Sequence, residues 1–228
     1  MLDIKDGFVS CFLAFYLCIP FLNILIHNMS KREHLALVAL LLFIYTGHGI
    51  LPQTHVTMNY VSWFCVLYFI ASYVRFYGFP IMGRQFSYKQ WGGVTIAAIF
   101  LSMASVIFML YLSKWPYWFV SDSHHLMAVV TAVSSFMFFK DMPIGYSRLI
   151  NKFGASTFGV LLIHANSDAM RRWLWRDTLD NVGHYTDGLF WLRPLVAVLL
   201  IFAICAVIDM LRIRFVERPF FEKVKFDN

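Results

Sequence analysis

The side chains able to hold charge or move a proton within apolar stretches of this sequence are few, and they set the chemistry open to it. His164 follows the apolar run of residues 153–163 and precedes Asn166 and Asp168. Histidine exchanges a proton near neutral pH, so His164 could relieve an attacking hydroxyl of its proton as a general base. The same placement suits a structural histidine hydrogen-bonded across helices, which is the preferred reading. Arg75 lies four residues from the end of another apolar run. Its planar guanidinium matches phosphate oxygens, while its position also lets it snorkel to lipid headgroups. His48 stands between two glycines in YTGHGI, where a neighbouring helix or ligand can approach closely, and packing is again preferred. Asp168 is spaced three and four residues from Arg171 and Arg172, as for an ion pair on one helix face. Ionisable groups in such places need a reason, since burying Arg, Lys or Asp at mid-membrane costs about 2.5–3.5 kcal/mol on insertion scales.

Several chemistries are excluded. There is no G-x-S-x-G elbow, phosphate-binding loop or H-E-x-x-H helix. Cys11, Cys18, Cys65 and Cys205 lie within apolar stretches without a C-x-x-C pair, so they read as packing residues. No metal site is expected, and no bound cofactor.

The elements that must position these residues follow from composition. Hydrophobic residues make up 60% of the 228 and charged residues only 14%, against about 45–50% and 25% in soluble domains. The apolar residues fall into continuous runs approaching the roughly 20 needed to cross a bilayer as a helix. Continuous rather than alternating runs exclude a transmembrane barrel. The expected fold is therefore all-α: a polytopic bundle of about seven membrane spans. They lie near residues 7–26, 35–51, 61–79, 92–113, 124–139, 153–163 and 189–210, with Pro20 expected to kink or break the first. No linker or repeat divides them, so residues 1–228 read as one transmembrane domain. The first run is no cleavable signal, since its flank lacks net positive charge and no small-residue cleavage site follows. Trp115, Trp118, Trp173 and Trp175 are expected as interface anchors.

Thirteen of the 19 Lys and Arg residues fall in one set of alternate loops and six in the other. By the positive-inside rule this places the N-terminus outside and the C-terminus in the cytoplasm. The net charge of +6 is then a topology signal, and nucleic acid is no expected partner.

Four stretches carry a resemblance. They are FLAFYLCIPFLN (residues 12–23, followed by ILIHNMSKRE), NYVSWFCVLYFIASYVRFY (59–77), SSFMFFK (134–140) and INKFGASTFGVLLIHANSDAMRRWLW (150–175). In order and spacing they resemble the acyltransferase-3 family of integral membrane enzymes. The resemblance implies transfer of an acyl group, most often acetyl from cytoplasmic acetyl-CoA, onto a surface polysaccharide or glycolipid at the cell (plasma or inner) membrane. It makes acyl-CoA a co-substrate rather than a bound cofactor, with Arg75 and Tyr68 as candidate donor-binding residues. It also implies a departure. The chain begins where the family's fourth helix would stand, so about three N-terminal helices, and the family's essential histidine with them, are expected to be missing. His164 and His48 are then weak candidates for catalysis, and the chain alone is expected to be inactive. HYTD at residues 184–187 lacks the spacing of the H-x-x-x-D motif of soluble acyltransferases.

Two other readings stay open: a transporter or receptor-like bundle, and an inert fragment. Against a transporter, there are no internal repeats with paired broken helices. Against a receptor, the cytoplasmic loops are short.

Overall fold

Several helices in the structure start where a short polar side chain takes over an unpaired backbone N–H: Ser30, Asn59, Ser87, Ser147 and Ser167 each accept one. The computed structural model describes residues 8–47, 59–80, 84–165, 167–180, 183–184, 188 and 192–223. Among the described residues the regular elements are all helical. The chain divides into two compact units, residues 11–144 and residues 145–228 together with the first ten.

In the unit of residues 11–144, α1 (Phe8–Asn28) runs without interruption through Pro20. Ser30 and Glu33 then form a reciprocal capping box that starts α2 (Lys31–Leu42), which continues as a π-helical turn, Phe43–Gly47. Asn59 caps α3 (Tyr60–Tyr77), which ends at Gly78 with φ +69°, a backbone value that favours glycine. Ser87 and Gln90 box the start of α4 (Tyr88–Tyr111), and α5 (Leu126–Asp141) follows. Ile26, Val38, Trp63, Val66, Phe69 and Ile70 belong to the principal core cluster. Helices α4 and α5 meet where Gly92 leaves room for the Phe138 ring, and Thr95 Oγ1 donates to Ser134 Oγ at 3.0 Å. Small residues and short polar links of this kind hold helices together in lipid, where apolar burial alone supplies no preference.

In the other unit, α6 (Arg148–Ala155), α7 (Thr157–Ala165), α8 (Asp168–Arg172) and a π-helical stretch, Trp173–Thr178, precede the long α9 (Leu192–Arg212). The latter continues through a π turn, Ile213–Glu217, into α10 (Arg218–Lys223). Helix α7 packs on α9 around Val160, Cys205 and Ala206.

By length and composition three helical stretches among the described residues can cross a membrane: Phe8–Asn28, Tyr88–Tyr111 and Leu192–Glu222. Leu17, Phe21, Phe100 and Leu199 on these helices are exposed, as lipid-facing side chains would be. This is a membrane protein. Each of the seven expected runs contains helix, but among the described residues only the first, fourth and seventh meet the length and composition of a span, and the sixth is interrupted. It is broken at Ser156 into α6 and α7 rather than forming one span. At the break the Ser156 N–H bonds to the Phe153 carbonyl at 3.1 Å, and Thr157 Oγ1 donates to the Gly154 carbonyl at 2.8 Å.

Candidate functional site

Ionic chemistry inside the residue 145–228 unit centres on Asp209, which is 1% exposed on α9. Its carboxylate fits because Gly159 on α7 has no side chain; a Cβ there would overlap the carboxylate atoms. Arg212 Nε donates to Asp209 Oδ1 at 2.9 Å, and Arg212 Nη1 donates to Glu217 Oε2 at 2.8 Å. One guanidinium thus spans two acids, one of them buried, which keeps the buried charge paired. Sequence reasoning passed over Asp209 although the signal was present: an acid within an apolar run merits the same scrutiny as Arg75.

His164 is partly buried near the end of α7, and its Nδ1 lies 2.6 Å from the Val160 carbonyl one turn back. A carbonyl only accepts, so Nδ1 carries a proton and donates it. The bond is therefore within its own helix. His164 also lines a cavity of about 440 Å³ whose other walls include Ile163, Trp173, Leu200 and Ile204. Asp168 pairs with Arg171 on an exposed helix face, one of the two partners its spacing allowed.

In the residue 11–144 unit, Arg75 is exposed in the last turn of α3. No described carboxylate pairs with it. Tyr68, two turns earlier on α3, is occupied: its hydroxyl donates to Asn23 Oδ1 on α1 at 2.7 Å, and its ring meets Phe15 edge-on. Tyr68 therefore links α1 to α3. His48 and Asn166 lie outside the described residues.

Among the described histidines the most enclosed is one not anticipated from sequence. His34 is 0% exposed, with Nε2 3.0 Å from the Phe69 carbonyl and the Phe69, Tyr73 and Tyr77 rings set edge-on around it. The Phe69 carbonyl also accepts from Ser72 Oγ at 3.0 Å. In the sequence His34 stands just ahead of the apolar run of residues 35–51; the Ser30–Glu33 capping box starts α2 early enough to include it, and it packs against α3. Among the described residues no group of three His, Cys, Asp or Glu side chains is placed to hold a metal ion.

Helices of this apolar character, an exposed cation ending α3 and a buried carboxylate between α7 and α9 describe a membrane scaffold. A family comparison decides its kinship: the model described as an acyltransferase domain (Acyl_transf_3) matches residues 7–211. The chain belongs to the acyltransferase-3 family. The matched region of this acyltransferase-3 protein covers Tyr68, Arg75, Ser156, Gly159, His164 and Asp209. Arg212 and Glu217, which complete the Asp209 network, follow it. No curated protein and no solved structure matches the chain.

Proposed function

We propose that this acyltransferase-3 protein takes part in O-acylation of a cell-surface polysaccharide or glycolipid, with acetyl-CoA or another acyl-CoA as donor. The observation that carries the reading is the acyltransferase-domain match over residues 7–211 in a chain with membrane-spanning helices. In such a transfer the acceptor hydroxyl oxygen attacks the thioester carbonyl. A C–O ester bond forms, the C–S bond breaks, and the hydroxyl proton ends on the departing thiol. A donor carrying phosphates needs a cationic hold. Arg75 suits that role, being exposed at the end of α3 with no described carboxylate pairing it. Tyr68 contributes by fixing α3 against α1 through Asn23.

His164 takes a positioning role in this account. Its Nδ1 proton is committed to the Val160 carbonyl, and the resemblance puts the family's essential histidine on another helix. The proposed arrangement has seven spans, an outer N-terminus and a cytoplasmic C-terminus in the plasma or inner membrane. It is supported by the 13-to-6 distribution of Lys and Arg between alternate loops.

The test is to supply labelled acetyl-CoA to membranes from cells with and without the gene and follow label into glycolipid and polysaccharide. Gene-dependent labelling supports acyl transfer. Equal labelling in both membranes contradicts it.

A further inference from the structure

A second cationic place lies in the residue 145–228 unit, apart from Arg75. Lys152 on α6, Arg214 on the π turn after α9 and Arg218 at the start of α10 line a cavity of about 490 Å³, with Ala155 and Leu211 among its apolar walls. All three cations are exposed. Two nearby acids are engaged elsewhere, since Asp209 and Glu217 are both held by Arg212, and Glu222 is the described acid that follows Arg218 on α10. Among the described residues no carboxylate forms an ion pair with Lys152, Arg214 or Arg218. Arg214 does stack near the Phe215 ring, at 5.6 Å from its centroid, which leaves its in-plane N–H donors available.

The same cavity is lined by Ser156, the residue that breaks α6 from α7. Ser156 is 0% exposed and its hydroxyl has no hydrogen-bond partner. A buried hydroxyl without a partner costs free energy. Three cations free of acids beside an unsatisfied buried donor make a complementary setting for a tetrahedral oxyanion. The guanidinium forks and ammonium would neutralise it, and the hydroxyl would take one of its oxygens.

We propose that the Lys152–Ser156–Arg214–Arg218 cavity binds a phosphate group. Two sources offer that chemistry: the headgroup of an anionic phospholipid, and a soluble phosphate compound. The site stands independently of the acyl-donor reading, which rests on Arg75 in the other unit. Arg214 and Arg218 also lie beyond the residues matched by the family model.

The test uses the full chain purified in neutral detergent, with native mass spectrometry reading retained ligand. One arm adds pyrophosphate, the other phosphatidylglycerol, with phosphatidylcholine as the uncharged comparison. Binding of either anionic probe is expected, and which arm binds identifies the source. The double variant R214Q/R218Q is expected to weaken binding about tenfold or more, as loss of charged hydrogen bonds would. The double variant R32Q/K89Q removes the same charge from the other unit and is expected to leave binding unchanged.

S156A supplies a readout of opposite sign. Removing an unsatisfied buried hydroxyl is expected to raise the thermal midpoint without ligand, yet to weaken binding of the anion. Failure of both anionic probes to bind overturns the proposal. So does equal weakening by both double variants, which would mean general surface attraction, and so does an S156A variant that binds as tightly as wild type.

Discussion

Gly159 and Asp209 share one space between α7 and α9: the glycine's missing Cβ is where the buried carboxylate lies. Arg212 keeps that carboxylate paired from the next turn of the helix. The contact joins the Ser-Thr-Phe-Gly run, within the fourth stretch that carries the family resemblance, to the last long helix. It gives that glycine a steric reason.

Replacing Gly159 by Ala is therefore expected to destabilise the protein by about 1–3 kcal/mol, the usual cost of overpacking a filled site. Adding D209A should recover part of the loss, because the clash and the buried charge disappear together. Thermal unfolding of wild type, both single variants and the double variant in detergent checks this. Additive effects in the cycle would mean that the two residues do not compete for space.

Arg75 is expected to act on the donor. R75A should lower kcat/KM for acyl-CoA about tenfold or more, the scale of a lost charged hydrogen bond, with R75K falling between it and wild type. Glycan acylation measured at limiting acyl-CoA reads the effect. If R75A and R75K both match wild type, the side chain only anchors α3 at the headgroups.

The start of α2 should respond to acid. Ser30's backbone N–H, and then its hydroxyl, hold the Glu33 carboxyl below the usual glutamate range. The folded protein thus binds this proton less readily than the unfolded chain. The cap's contribution is full above the ordinary glutamate range and is lost as pH falls through the lowered value. The protection factor of the Ser30 amide against hydrogen exchange should fall over that acidic interval in wild type and stay flat in E33Q. A flat profile in both would mean that the carboxylate contributes nothing to the cap.

The charge bias between loops predicts sidedness. Reporter fusions after Gln53 should report the outer side, and those after Gln85 and at the C-terminus the cytoplasm. A cytoplasmic signal at Gln53 would contradict the arrangement.

Helix and membrane character were legible because they depend on long stretches of composition, which no single contact can reverse. The ends of helices depend on single residues: Ser30 with Glu33 starts α2 ahead of its apolar run, and Gly78 ends α3. The break at Ser156 was hidden because Gly154, Ser156 and Thr157 are also tolerated inside membrane helices. The site was less legible still. Arg75 announced itself as a charge near the end of an apolar run. Asp209 carried the same signal, but its pairing with Gly159 depends on two helices far apart in sequence. Tyr68 was singled out for the donor, and its link to Asn23 on α1 became visible only in the structure. His34 became notable only once α3 supplied a carbonyl and three rings around it.

The most direct test of the central claim is mass spectrometry of surface polysaccharides and glycolipids from the native cell, with and without the encoding gene. The account predicts that one glycan species loses its O-acyl group on deletion and regains it when the gene is restored. Identical acylation in the presence and absence of the gene would contradict it.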